Sequence, residues 1–270
     1  MLMVIDIGNT NIVVGLFEGD TLKYDWRIYS DSRRTGDEYS SILLSLFRDA
    51  GISAADIQLT ALSSVVPLLI GPFIRMVQMM TGKKPIVLGP PLYDRLPVSV
   101  PESALHEIGT DLVCNAVAAY TRFRGSCIVV DFGTALTFTA IDSAGMICGV
   151  SIAPGIGTAV KALFNNTAQL PSVPLETPPS SLGTNTIHSI QSGIVFGYKG
   201  LVESLIGRMK HDMALTGGGS AVGHADDIQV IATGGLNSVL QPITDAFKVV
   251  EKLLTLRGLK IIAEIISKER

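Results

Sequence analysis

The chain has 270 residues, room for one large domain or two small ones and enough to bury a core without disulfides or metals. It is 47% hydrophobic and 17% charged, which excludes a disordered chain. Its net charge of -3 and pI of about 5.8 argue against nucleic acid or an anionic membrane as a partner, since both want a basic face.

The chain opens as a three-stranded meander. Val4-Ile5 and Ile12-Val13-Val14 are β-branched strands around a hairpin turn, Gly8-Asn9-Thr10-Asn11. Gly19-Asp20 is a second turn and Leu22 to Ile28 a third strand. A helix follows, capped at Thr35, with Tyr39, Ile42, Leu43, Leu46 and Phe47 on one face and Gly51 at its end. Leu59 to Val65 reads as a buried strand, Leu68 to Met80 as a helix, Pro85 to Leu88 as a short strand and Gly89 to Pro101 as a Pro-rich loop. Asp111 to Arg122 is a helix by the spacing of Leu112, Val113, Ala116, Val117 and Tyr120.

The opening pattern then recurs. Ser126 to Val130, Leu136 to Ile141 and Met146 to Ile152 are strands, with the polar turn Asp131-Phe132-Gly133-Thr134-Ala135 after the first. Asp131 stands 125 residues after Asp6. An Asp-x-Gly turn used twice after a strand indicates an internal duplication. Beyond it come a helix from Gly155 to Leu163, a Pro- and Ser-rich loop from Gln169 to Gly183 and a long helix from Thr186 to Lys210. A glycine-rich solvent loop from Leu215 to Asp227 leads to the strand Ile228 to Ile231, which enters Thr233-Gly234-Gly235. A last helix spans Thr255 to Lys268.

A mean hydropathy of +0.41 raises the question of membrane spans. The longest apolar stretch, Ala61 to Ile74, is broken by Ser63, Ser64, Pro67, Gly71 and Pro72, short of the ~20 apolar residues a span needs. Asp6 interrupts the apolar start and no basic segment precedes it, so no export signal is read and a cytoplasmic protein is expected. The apolar excess points to a buried subunit interface. Cys114, Cys127 and Cys148 form no Cys-x-x-Cys pair and sit among apolar neighbours, so buried reduced thiols are expected. The four histidines show no metal-ligand spacing.

The chemistry lies at the turns. Small residues after a strand expose backbone N–H groups that cradle phosphate oxygens, and Gly8 lets the backbone come close. The carboxylate of Asp6 repels phosphate but can hold a phosphate-bound Mg²⁺ through water. Asp131-Phe132-Gly133-Thr134 can act likewise, and Thr233-Gly234-Gly235 would let a nucleotide lie flat on the backbone. Asp111 at a helix start suits both a cap and a proton acceptor. Asn115, one turn on, can orient that carboxylate or face solvent. Tyr93 reads as a packing aromatic or a ligand contact, and Thr186 as a helix cap or a ligand contact.

Duplicated Asp-x-Gly hairpins with a late Thr-Gly-Gly resemble the actin, sugar kinase and Hsp70 ATPase superfamily. Asp6-Ile7-Gly8-Asn9-Thr10-Asn11, Gly109-Thr110-Asp111, Val130 to Ala135, Ala153-Pro154-Gly155, Ile190-Gln191-Ser192-Gly193 and Leu254-Thr255-Leu256-x-Gly258-Leu259 occur in that order. As a series they resemble the type III pantothenate kinases over essentially the whole chain. The resemblance implies an α/β protein of two RNase H-like domains, residues 1–115 and 116–270. Each would have a mixed central sheet flanked by helices, with ATP in the cleft between. It implies transfer of the ATP γ-phosphoryl group to the primary hydroxyl of pantothenate, by a homodimer with substrate sites completed near the subunit interface.

By the same resemblance, Asp6, Ile7, Gly8, Asn9, Thr10, Asn11, Ile12 and Val13 form the first phosphate loop and Thr134 contacts ATP from the second. Asp111 is the proton acceptor. Asp131 marks a monovalent-cation site for K⁺ or ammonium. Tyr93, Gly109, Thr110, Asp111, Leu112 and Thr186 contact pantothenate. Many family members carry Arg where this chain has Leu112, so the anionic substrate needs its charge from elsewhere, with Arg95 and Arg122 as candidates. A kinase of another small hydroxyl substrate and a nonenzymatic nucleotide-binding regulator are the alternatives.

Overall fold

Two five-stranded mixed sheets of the same topology form the framework. In this computed structural model, residues 1–167, 170–216, 227–235, 237–247 and 249–268 are described. The first sheet contains β1 (Leu2–Ile7), β2 (Asn11–Glu18), β3 (Thr21–Tyr29), β4 (Leu59–Ser64) and β5 (Ile86–Val87), in the order β3-β2-β1-β4-β5. The second contains β6 (Cys127–Phe132), β7 (Ala135–Ile141), β8 (Ile147–Pro154), β9 (Gln229–Gly234) and β10 (Val249–Val250), in the order β8-β7-β6-β9-β10. In each, the opening hairpin is antiparallel, while the first strand pairs in parallel with the fourth. This is the duplication expected from the repeated turn, and the mixed, helix-flanked sheets are those of the expected actin-like fold.

The helices are α1 (Gly36–Asp49), α2 (Pro67–Thr81), α3 (Thr110–Phe123), α4 (Ile156–Asn165), α5 (Thr186–Thr216), α6 (Asn237–Leu240) and α7 (Leu254–Lys268). Thr35 closes a capping box with Glu38 at the start of α1, where the sequence predicts the cap. Pro67 fits the first turn of α2, where its missing N–H leaves no bond unmade. Residues Pro90–Arg95, read from sequence as loop, form a 3-10 turn. The strands β6 and β8 run two residues further than their apolar runs, so Asp131 and Phe132 end a strand rather than lie in the turn. Residues 217–226 of the predicted glycine-rich loop lie outside the described residues.

The chain divides into two compact units, Met1–Ala118 with Leu254–Arg270, and Ala119–Leu253. The linear reading puts the last helix with the second half. Instead α7 packs on the first sheet, and the reason is its apolar face: Leu256, Leu259, Ile262, Ala263 and Ile266 are all buried. The first core gathers Ile5, Ile7, Ile12, Val14 and Leu62 from the sheet with Tyr39, Leu43, Phe47 and Phe73 from α1 and α2. The second gathers Ile128, Val130, Leu136 and Phe138 with Val195, Tyr198 and Val202 of α5. Cys114 and Cys127 are buried thiols as expected, but Cys148 is exposed. It lies on the edge strand β8, most of whose residues point into solvent. No helix among the described residues is long and apolar enough to cross a membrane.

Candidate active site

In the first unit the chemistry collects where β1 and β4 end beside the start of α3. Parallel pairing sets Asp6 opposite Ser63 and Ile7 opposite Ser64. The Ser63 hydroxyl donates to Asp6 Oδ1 at 3.0 Å and lies 3.0 Å from Thr110 Oγ1. Thr110 Oγ1 accepts from the Ser64 N–H at 3.0 Å and lies 3.1 Å from the Ser64 carbonyl oxygen. The helix carrying Asp111 is thereby fastened to the strand beside Asp6.

Asp111 is half-buried and accepts from the Leu112 N–H at 2.9 Å. Burial pushes its carboxyl above the ordinary value of 3.8, against the pull of the backbone bonds to Leu112 and to its own N–H. A Cβ on Gly109 would run into the Asp111 carboxylate, so a side chain there would force Asp111 to turn from its present position. Tyr93 is buried at 3% exposure. Its phenol is pushed up to about 12, first by burial, then by nearby Cys114 and Asp111. The buried Cys114 thiol is pushed well up by burial and by Asp6 and Asp111, with the Ser63 hydroxyl opposing. Asp6, Ser63, Thr110, Asp111, Cys114 and Tyr93 therefore form one cluster. Asn115 does not face solvent. It is fully buried and its Oδ1 accepts from Thr255 Oγ1 at 2.9 Å. Gly258 completes that joint, since a Cβ there would collide with the Cys114 carbonyl.

The first turn is closed by the Gly8 N–H donating to the Asn11 carbonyl at 3.0 Å, and the Thr10 carbonyl accepts from the Ser30 N–H at 2.9 Å. In the second unit the Gly133 N–H donates to the Ala135 carbonyl at 3.0 Å. The Thr134 carbonyl accepts from the Gly155 N–H at 3.0 Å and from Thr158 Oγ1 at 2.7 Å. A Cβ on Gly155 would overlap the Gly133 and Thr134 carbonyls. The glycine of Ala153-Pro154-Gly155 is thus what lets α4 seat on the turn. Tyr198 holds the same corner by donating to the Pro154 carbonyl at 2.8 Å.

Asp131 pairs in register with Thr233 of β9, as Asp6 does with Ser63. Gly234 has φ of +87°, a left-handed conformation that glycine adopts freely. A side chain there would begin 2.6 Å from the Phe132 carbonyl oxygen and 2.8 Å from Asp131 Oδ1. The Asp131 carboxylate and the Phe132 carbonyl are oxygen donors of the kind a monovalent cation takes. Around Asp6 the set is sparse. Among the described residues no three His, Cys, Asp or Glu side chains gather to hold a metal. A lone carboxylate suits an Mg²⁺ carried by phosphates and water.

Thr186 lies in the second unit, exposed, on a cavity of about 590 Å³ lined also by Leu163, Asn185, Ser189, Ile190 and Gly193. Asn185, not Thr186, caps α5, its Oδ1 accepting from the His188 N–H at 2.9 Å. Gln191 and Ser192 pin the Pro-rich loop through the Pro174 and Ser181 carbonyls at 2.9 and 2.6 Å. Leu112 is buried in the core and offers no charge. Arg95 sits two residues from Tyr93 and donates to the Ile266 carbonyl at 3.3 Å, whereas Arg122 is exposed near Phe123. Sequence reasoning missed Ser63, Ser64 and Thr158. Two serines closing an otherwise apolar strand are the signal that could have found the first pair.

Twin sheets with phosphate-type turns at matching strand ends define an actin-like ATPase fold of the small-molecule kinase kind. A protein of Sinorhizobium meliloti assigned as a 2-dehydro-3-deoxygalactonokinase shares that fold. It has a TM-score of 0.56 and 11% identity, with 98% of this chain and 97% of that one covered. A Campylobacter jejuni protein assigned to the Baf family of transcriptional activators shares it at TM-score 0.58 and 18% identity, covering 98% and 99%. The family model of type III pantothenate kinase matches residues 2–208. The type III pantothenate kinase of Geobacter sulfurreducens is 41% identical over 264 residues, 98% of each chain. This chain belongs to the type III pantothenate kinase family.

Proposed function

We infer that the protein phosphorylates the primary hydroxyl of pantothenate with ATP, giving 4'-phosphopantothenate in the first step of coenzyme A biosynthesis. The observation that carries the reading is Asp111, a half-buried carboxylate held at a helix start near Tyr93, next to the Thr110 that reaches Asp6 through Ser63. An alcohol attacking through a loose transition state gives up its proton late, and a nearby carboxylate can accept it. Burial makes Asp111 a better acceptor than an ordinary aspartate. Its bond from the Leu112 N–H holds one oxygen in place.

Asp6 through Val13 is the first phosphate loop, and Thr134 contacts ATP from the second turn. Asp6 would hold Mg²⁺ through water, and Asp131 with the Phe132 carbonyl would hold K⁺ or ammonium. When bound, these cations offset the charge on the β- and γ-phosphoryl oxygens. Tyr93, Gly109, Thr110, Leu112 and Thr186 contact pantothenate, and Arg95 is the cation best placed in sequence to face its carboxylate. A homodimer is supported by apolar residues left outside the second unit's core, among them Ile152 at 71% and Leu182 at 80% exposure. Three unpaired cysteines support a reducing, cytoplasmic setting.

The test is product identity. Incubation with pantothenate, ATP, Mg²⁺ and K⁺ should yield a compound of phosphopantothenate mass by mass spectrometry. ATP binding without that product would overturn the reading. Sedimentation at micromolar protein should give a dimer, and a monomer would remove that part.

A further inference from the structure

Ser63 carries the inference furthest. It is fully buried at the end of β4, in a strand whose neighbours Ala61 and Leu62 are apolar. A buried hydroxyl is costly unless bonded. This one has a single proton to give. Asp6 Oδ1 at 3.0 Å can only accept, so the proton goes there. Thr110 also has one proton, and two acceptors compete for it, the Ser63 hydroxyl oxygen at 3.0 Å and the Ser64 carbonyl at 3.1 Å. Thr110 in turn accepts from the Ser64 N–H. The polar atoms thus form one network in which Ser63 joins the Asp6 carboxylate to Thr110, and Thr110 is anchored on the Ser64 backbone at both its N–H and its carbonyl. The second unit repeats the plan: buried Thr233 occupies the register position beside Asp131 that Ser63 occupies beside Asp6.

We propose that Ser63 is a positioning residue that fixes the Asp6 carboxylate for magnesium-bound ATP and ties it to the helix start bearing Asp111. The inference rests on the reading of Asp6 given above. Partners of a direct metal ligand are worth about 10–100-fold in affinity or activity; since Asp6 would hold the ion through water, the expected effect of Ser63 is at the low end, about tenfold.

The experiment compares wild type, Ser63→Ala and Ser63→Thr by calorimetry with a nonhydrolysable ATP analogue, with and without Mg²⁺, alongside kinetics and thermal melting. Ser63→Ala should lose about tenfold of the affinity that Mg²⁺ adds and raise KM for Mg-ATP, with KM for pantothenate within about twofold of wild type. Ser63→Thr keeps the hydroxyl and should restore most of both. If Ser63→Ala does not fold, Ser63→Cys, a near-isosteric weak donor, replaces it with the same expectation. A hydroxyl that only stabilises the fold would lower the melting temperature and leave the Mg²⁺-linked affinity intact, which overturns the proposal. So does equal loss in the Ala and Thr variants. Should wild type lack pantothenate-dependent turnover while Mg²⁺-linked binding still depends on Ser63, the substrate reading fails and the positioning role stands.

Discussion

The two hairpin turns share a strand topology but not a length. From Ile7 paired with Ile12, the first spans four residues, while from Phe132 paired with Leu136 the second spans three. The longer turn carries Asn9, Thr10 and Asn11, and its Thr10 carbonyl is tied to the Ser30 N–H just past β3. The tighter one is pressed against α4, with the Thr134 carbonyl taking bonds from Gly155 and Thr158. Their aspartates are set alike, each in register with a buried hydroxyl residue, Ser63 or Thr233, while Asp131 also lies against the backbone at Gly234. A duplicated frame thus carries two turns that differ by one residue in length and in what packs behind them. On the proposed function the two turns would serve two chemistries, the first polyphosphate and its divalent ion, the second a monovalent cation and ATP.

The largest expected break comes in the first unit. Asp111→Asn should lower kcat by about 10²–10⁴, read in steady-state kinetics. Its effect on stability should run the other way. The folded carboxyl titrates above its ordinary 3.8, so the folded state binds the proton more tightly and loses stability as pH rises through that window. The variant escapes this loss, so it should melt higher than wild type at pH 7, with the gap closing below the ordinary value. The same upward shift puts the acid limb of kcat/KM above the usual carboxylate range.

In the second unit, Asp131→Asn should cost about 10–100-fold in activity and abolish the preference for K⁺ over Na⁺. An unchanged K⁺ response would merge the two turns into one chemistry. For the backbone, Gly155→Ala should destabilise by about 1–3 kcal/mol through overlap with the Gly133 and Thr134 carbonyls. Gly8→Ala meets only the Asn11 carbonyl, at 3.0 Å, and should cost at most about 1 kcal/mol. Equal losses in denaturant melts would contradict the difference in packing. Thr35→Ala, at the cap of α1 and in neither turn, should cost about 1 kcal/mol and leave kcat unchanged.

Much of this was legible in the sequence because repetition is a strong signal. Asp6 and Asp131 stand at equivalent strand ends, and the helix around Asp111 follows from its apolar spacing. What stayed hidden depends on long-range closure. The α7 stripe shows that a face is buried but not against which sheet, and only the fold brings Thr255 to Asn115, 140 residues apart. The serines closing β4 read in sequence only as breaks in an apolar stretch; the meaning of Ser63 comes from lying in register with Asp6. Cys148 was misjudged because apolar neighbours on an edge strand do not enforce burial.

The most direct measurement is ADP release by the purified protein with ATP, Mg²⁺ and K⁺, with and without pantothenate, for wild type and Asp111→Asn. Turnover that requires pantothenate and collapses in the variant is the predicted result. Pantothenate-independent release, or a variant as fast as wild type, would contradict the assignment of Asp111 as proton acceptor to this substrate.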